Sequence, residues 1–370
     1  MNIEIPFFNY PALTAKYEED ILNIIKDVMR HGAFVLQKDL ENFEENLRKF
    51  LNVKYAIGVS SGTSALIIAL KAAGIKENDE VILPSYTHIA TAEAVYSLNA
   101  VPVLADINDE HLIDIESIKK NITNKSKAIV PVHLNGRTCD MNGIRALAEN
   151  YNLTIIEDAS QAFGSKYKNQ FAGTFGKAAA FSFYPSNILG CLGDGGCIVT
   201  NNEKIAEYAK IFRNHGKNKS GETIMWGINS RLDNIQAAVL NYKLKIIENE
   251  ITRRREIANL YNNALNNLEE IKLPCGPNES ENYFDIYQNY EIEINQRENI
   301  KTFLEKKGIQ TVIPWEGKAV HHLNYFHSNK LSLPRTDNLI KKTLLLPMNT
   351  SLTDSDVNFI CNTICRFYKG

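Results

Sequence analysis

Six cysteines are all this 370-residue chain contains, at positions 139, 191, 197, 275, 361 and 365, with no CxxC pair. So few, so scattered, they exclude a disulfide framework and read as free thiols in a reducing compartment. Long apolar runs are missing too: none reaches the roughly 18 residues of a membrane-spanning helix. The opening MNIEIPFFNY lacks a basic stretch followed by an apolar one, so no signal peptide is expected and the location reads as cytoplasmic. Charge of neither sign is in excess. Lys+Arg 41 against Asp+Glu 43 gives a net charge of -2, which argues against a nucleic-acid partner or a polybasic membrane anchor. Also absent are the phosphate loop GxxxxGK[ST] and the dinucleotide fingerprint GxGxxG. What is present is a 44% hydrophobic composition in a chain long enough for about two domains.

From residue 55 to 200, short apolar runs alternate with helix-length segments. The runs are Tyr55–Val59, Val81–Pro84, Val101–Ala105, Ala128–Val132, Leu153–Glu157, Ala178–Phe183 and Cys197–Thr200. Alternation of β-branched runs with helices predicts an α/β domain with a mostly parallel sheet. Upstream, Ile21, Ile24, Ile25 and Val28 predict a helix over 17–30, broken at His31-Gly32. Between Asp233 and Asn266 there is no Gly or Pro, and Leu240, Leu244, Ile247 and Ile251 recur at helical spacing. One long helix is expected there, two packed helices being the alternative. Strand-like runs (Tyr287–Ile294, Gln310–Ile313) and helical ones (Arg297–Lys307, Ser355–Phe367) then predict a smaller α+β domain. The division falls into residues 1–230 and 231–370.

Three segments carry chemistry. In Val59-Ser-Ser-Gly-Thr-Ser-Ala-Leu66 a strand ends and a helix begins, which suits an anion, or else is an ordinary turn capped by hydroxyls. In Leu153-Thr-Ile-Ile-Glu-Asp-Ala-Ser-Gln161, Asp158 sits at a strand's carboxyl end, where α/β folds bind ligands. It can hold a proton on a ligand nitrogen, ligate a metal or cap the next segment. In Phe181–Gly196, Ser182 is followed by Pro185 and by Gly190, Gly193, Gly195 and Gly196, a loop whose entropic cost favours a ligand-facing role over mere connection. No metal site is read from the sequence. Cys361 and Cys365 read as packing on a helix, and Arg253-Arg254-Arg255 as a solvated helix face.

SSGTSAL, EDASQAFGS, FSFYPSNILGCLGDGG and GINSRLDNIQAA, in this order and spacing, resemble the pyridoxal-phosphate-dependent nucleotide-sugar aminotransferases of the DegT/StrS family, of fold type I. The resemblance covers nearly the whole chain. It implies a large domain with a seven-stranded sheet and a smaller C-terminal domain. It implies pyridoxal or pyridoxamine 5'-phosphate as cofactor, glutamate as amino donor, and a nucleotide-linked keto-sugar as substrate, in deoxyamino-sugar synthesis for surface glycans. Gly62, Thr63, Ser64 and Ser182 would hold the cofactor phosphate. Asp158 would keep the pyridinium protonated, making the ring an electron sink. Gln161 would bond the ring hydroxyl, and His88 would stack on the ring face. Asn229 would reach a neighbouring subunit's phosphate, implying a homodimer with shared active sites. Tyr184, the Arg213–Gly216 loop with His215, Trp315, Lys318 and His321 would meet the sugar nucleotide. The Pro314-Trp315 variant resembles enzymes of dTDP-linked 3-keto-6-deoxy sugars, and His133-Leu-Asn-Gly136 would reshape the sugar pocket.

One position departs from the family. Where it carries the lysine that binds the cofactor and shuttles the proton, this chain has Asn187. An amide forms no imine and has no useful basicity. Lys166 and Lys177 lie nearby in sequence but outside the motif position. Three readings follow: an aminotransferase with a lysine-to-asparagine change that traps an aldimine, a cofactor-dependent sugar 3-dehydratase, or a non-catalytic cofactor-binding paralogue. The loss of the lysine alone, among otherwise intact motifs, favours the first.

Overall fold

A computed structural model of the chain describes residues 3–324, 326 and 331–369. All seven apolar runs become strands: β1 Tyr55–Val59, β2 Glu80–Pro84, β3 Val101–Ala105, β4 Ser126–Ile129, β5 Thr154–Asp158, β6 Ala178–Ser182 and β7 Gly196–Thr200. They form one sheet in the order β1-β7-β6-β5-β4-β2-β3. Pairs from β6 across to β3 are parallel, while β7 runs antiparallel to both β6 and β1. The runs are apolar on both faces because both faces are covered. Ala178, Ala180 and Ile198 pack in one core with Leu66 and Ala69 of the helix Gly62–Ala72. Their neighbours Ala179, Phe181, Cys197 and Val199 face the opposite core, with Phe43 and Leu47 of the helix Lys38–Leu51. The sheet's carboxyl ends converge on one edge, and the site forms there.

The helix predicted over 17–30 spans Glu18–His31, ended by Gly32 in the left-handed conformation (φ 65). The single long helix expected over 233–266 is instead two, Asn234–Lys245 and Ile247–Leu265, separated at Ile246 (φ -110, ψ 5). Ala237 and Leu240 bury against the large sheet, whereas Ile257, Tyr261 and Leu265 bury in a second core. One straight helix would not serve both directions, and no Gly or Pro marks the break.

That second core surrounds an antiparallel sheet of β8 Ile271–Lys272, β9 Tyr290–Ile294 and β10 Thr343–Leu346, with the helices Arg297–Lys306 and Asp354–Lys369. Cys361 is buried in it, a packing role. Gln310–Ile313 is not a strand; its neighbourhood makes only isolated bridges, Ile5 to Ile309 and Val312 to Leu345. Ile5 thus joins the chain's start to the second core.

The arginine triplet is not a solvated face. Arg254 is buried, its Nη1 donating to the carbonyls of Tyr287, Gln288 and Met348. Arg253 pairs with Asp354, and Arg255 donates to the carbonyls of Asp285 and Pro277. Backbone carbonyls of neighbouring turns accept from Arg254 and Arg255, an arrangement invisible to helical periodicity. Among the described residues no helix is long and apolar enough to cross a membrane.

Candidate active site

A cavity of about 500 Å³ opens where β1, β2, β4, β5 and β6 end, lined by Gly62, Thr63, His88, Asp158, Gln161, Ser182 and Asn187 among others. On one side is the start of the helix Gly62–Ala72. Ser61 caps it, accepting from Ser64 N–H at 3.1 Å. The N–H groups of Gly62 and Thr63, the first two helical residues after that cap, have no acceptor among the described residues and lie at the positive end of the helix. The backbone comes unusually close here. A Cβ on Gly62 would lie 2.7 Å from Ser182 Cβ, and one on Gly196 would lie 2.3 Å from the Ser61 carbonyl. These residues suit a phosphate, with bare amides and the hydroxyls of Thr63 and Ser182; the Asp194 carboxylate also lines the cavity.

Asp158, 5% exposed, ends β5 and faces the cavity. Its Oδ2 accepts from Thr91 Oγ1 at 2.8 Å and its Oδ1 from Ser160 N–H at 3.2 Å. Two neutral donors steady the carboxylate without neutralising it, so it suits a protonated ring nitrogen. The adjacent Glu157 points the other way, fully buried. It accepts from the N–H groups of Gly173, Phe175 and Gly176 and from His133 Nε2, while Cys139 N–H donates to His133 Nδ1. That pair is a staple, not part of the cavity.

Gln161 Oε1 accepts from Asn135 N–H at 2.9 Å and from Asn289 Nδ2 at 3.5 Å. Its amide nitrogen is left as the donor toward the cavity, which suits a ring oxygen. His88 caps the helix Ile89–Tyr96, Nδ1 accepting from Ala90 N–H at 3.2 Å, and its exposed ring lines the cavity. The donor set therefore suits the phosphate, ring nitrogen and ring oxygen of pyridoxal or pyridoxamine phosphate.

Asn187 lies in the same wall. Its Nδ2 donates to the Ser182 carbonyl at 2.9 Å, and its N–H donates to the Tyr184 carbonyl at 2.9 Å. No lysine is among the cavity's described lining residues. Lys177 is exposed, and Lys166 lies over the Phe171 ring at 4.5 Å. Asn187, Tyr184 and Ser186 also border a second cavity of about 470 Å³. Lys243 lines that one, its Nζ donating to the Gly190 carbonyl at 2.6 Å and its pKa lowered by burial.

The structure brings together Gly62, Thr63, His88, Asp158, Gln161, Ser182, Tyr184 and Asn187. Ser64 is not in the wall; its hydroxyl meets those of Ser60 and Ser61. Asn229 and His215 lie outside it, both exposed at the base of a projecting loop. Arg213 is buried against Glu44 and the Gly58 carbonyl. Trp315 packs edge-on against Tyr86 at 4.7 Å, and Lys318 is exposed; neither lines the cavity. His321 Nε2 bonds Asp337 at 3.0 Å and Nδ1 meets Ser85 Oγ at 2.6 Å. With His322 these make a cluster of metal-ligand spacing. The Ala319 N–H donates to His322 Nδ1, however, so that ring keeps its proton on Nε2 and gives it to Asp337. Sequence reasoning missed Thr91 and Asn289; Thr91 follows His88 by one helical turn, but nothing local signals Asn289.

A model of the DegT/DnrJ/EryC1/StrS aminotransferase family matches residues 15–365. The dTDP-3-amino-3,6-dideoxy-alpha-D-galactopyranose transaminase of Aneurinibacillus thermoaerophilus is 35% identical over 98% of this chain and 99% of its own. The solved structure of DesV from S. venezuelae, in complex with a ketimine intermediate, superposes with a TM-score of 0.95 at 32% identity, over 100% of both chains. NtdA from Bacillus subtilis, with bound pyridoxamine phosphate, gives 0.93 at 32% identity, over 100% of this chain and 86% of its own.

Proposed function

The chain belongs to the DegT/DnrJ/EryC1/StrS aminotransferase family, whose members are pyridoxal-phosphate-dependent sugar aminotransferases, and from that premise we propose that its substrate is a nucleotide-linked keto-sugar and that Asn187 holds the position of the family's cofactor-binding lysine. The amino donor is glutamate, the product a deoxyamino sugar for surface glycans, and the nucleotide dTDP, as in the Aneurinibacillus relative's name.

When bound, the cofactor supplies an electron sink for moving an amino group between two carbonyl compounds. The chain's own residues bind and orient it. The amides of Gly62 and Thr63 and the hydroxyl of Ser182 hold the phosphate. Asp158 keeps the ring nitrogen protonated, Gln161 donates to the ring oxygen, and His88 covers the face. Tyr184, 54% exposed between the two cavities, meets the sugar. At position 187 the side chain is an amide, which cannot take up and deliver a proton as the family's lysine would.

One observation supports this reading: Asn187 lines the cavity beside Gly62, Asp158, Gln161 and Ser182, and no lysine is among that cavity's described lining residues. As written, the chain binds cofactor and aminated cofactor but does not turn over.

Completion of the site by a second copy is part of the proposal. Trp226 is 96% exposed, with Ile224 (53%) beside it on the loop that carries Asn229. Asn229, His215 and Lys318 would act in the partner's cavity. We place the protein in the cytoplasm and its domain division near Ile246 rather than residue 230, since the helix Asn234–Lys245 buries Ala237 and Leu240 with the large sheet.

The test is the chain mixed with pyridoxal phosphate, glutamate and dTDP-linked 3-keto and 4-keto sugars. Retention of cofactor without amino-sugar formation is expected. Sustained turnover by the unmodified chain overturns the assignment of Asn187. A deoxygenated product would mean dehydration, and failure to retain cofactor would mean the binding residues are misassigned.

A further inference from the structure

Behind Gln161, on the side away from the cavity, lies a buried carboxylate that neither the motifs nor the proposed reaction uses. Glu291 is 4% exposed in β9. Its Oε2 accepts from Asn135 Nδ2 at 2.5 Å and from His111 Nδ1 at 3.0 Å. Its Oε1 accepts from Thr343 Oγ1 at 2.5 Å and from the Tyr86 hydroxyl. Four donors on one carboxylate leave it acceptor-only and fully satisfied.

Two of these donors lead to the proposed cofactor residues. Asn135 has a left-handed backbone (φ 55), and its N–H is the group that holds Gln161 Oε1. Asn enters that conformation more readily than other non-glycine residues, and here two side-chain hydrogen bonds hold it there. Here Glu291 holds Asn135 Nδ2, and Asn289 Nδ2 donates to Asn135 Oδ1 at 2.9 Å. Tyr86 is the second donor. It is fully buried, two residues before His88 in the turn that follows β2.

We propose that Glu291 is a positioning residue, which through Asn135 turns the donor side of Gln161 toward the cofactor ring and through Tyr86 anchors the turn that presents His88. The inference rests on the reading of Gln161 and His88 as cofactor residues. It adds that a strand of the smaller sheet, about 130 residues on from Gln161, sets which atom of that amide the ring oxygen meets. Glutamine at 291 would keep the shape but present a donor where Asn135 or His111 also donates. Asn135 would then be pushed to turn over, and its grip on the Gln161 carbonyl would loosen.

The experiment uses the full chain and pyridoxamine phosphate as probe, with its ring absorbance followed against pH. Gln161→Ala is the reference and should shift the bound ring's titration midpoint by about 0.5–1 pH unit, the equivalent of one hydrogen bond. Glu291→Gln and Asn135→Ala should each shift it in the same direction. They should weaken binding about 2–10-fold, and the double variant should do little more than either alone. A merely structural Glu291 would lower thermal stability and leave the ring spectrum unmoved, which would overturn the proposal. If Glu291→Gln fails to fold, Asn135→Ala and Tyr86→Phe test its two arms separately, and an unmoved spectrum in both overturns it. If Gln161→Ala itself leaves the spectrum unchanged, the site reading falls and the proposal with it. If Gln161→Ala moves it and the others do not, only the positioning role falls.

Discussion

The side-chain amide of Asn187 donates to the backbone carbonyl of Ser182 across a turn of five residues, at 2.9 Å. Ser182 is the last residue of β6 and touches the helix start at Gly62, so the bond ties position 187 directly to the proposed phosphate cradle. A lysine placed there would give up that bond, about 1 kcal/mol net, and extend into the cavity instead.

Asn187→Lys should therefore restore amino transfer with little loss of stability. Pyridoxal phosphate should become attached to the protein, seen as the added mass of one cofactor after borohydride reduction. A correctly folded Asn187→Lys protein that neither gains this mass nor transfers an amino group would refute the assignment of the lysine position.

Asp158→Asn should weaken pyridoxal phosphate binding by about 10-fold or more, since a charged hydrogen bond contributes about 1.5–3 kcal/mol. Thr91→Val removes one of the two donors holding that carboxylate and should have a smaller effect in the same direction. Equilibrium dialysis distinguishes the two; equal affinities for Asp158→Asn and the parent would count against a ring-nitrogen partner.

Stability should fall as the solution becomes alkaline. His111 lies between Glu291 and Glu293, each 3.0 Å away. Burial opposes its charge, but the two carboxylates outweigh burial and raise its pKa to about 9. The folded state thus binds a proton that the unfolded chain releases near pH 6.5. This contribution is fully present below about pH 6.5 and is lost as pH rises through about 9, by up to about 1.4 kcal/mol per pH unit. Urea midpoints across that window should decline, and His111→Gln should flatten the decline.

Trp226→Glu should convert a dimer to monomers and weaken cofactor binding, because the loop it exposes also carries Asn229. Sedimentation of the parent at the mass of a single chain, across micromolar concentrations, would refute the shared site.

The seven strands of the large sheet were legible because each is a short, mainly apolar run, buried on both faces except at the edge strand β3, bounded by turn residues or helix-length segments. Asn187 was legible because the motifs around it fix its register. The break at Ile246 was not, since both helices keep apolar residues at compatible spacing and only their separate cores demand the bend. Trp315, Lys318 and His321 were read as a substrate-facing group, yet within one chain Trp315 packs on Tyr86, Lys318 faces solvent and His321 bonds Ser85 and Asp337.

By itself the sequence determined the α/β sheet, most of the residues that each motif brings to the cavity wall, and the asparagine at 187. These are local matters, set by side-chain period and by residues a few positions apart. Only the tertiary structure decided what holds those residues still: Thr91 on Asp158, Asn135 and Asn289 on Gln161, Glu291 behind Asn135. Such partners lie 26 to 156 residues apart, and hydrogen-bond geometry across that separation leaves no periodic trace in the chain.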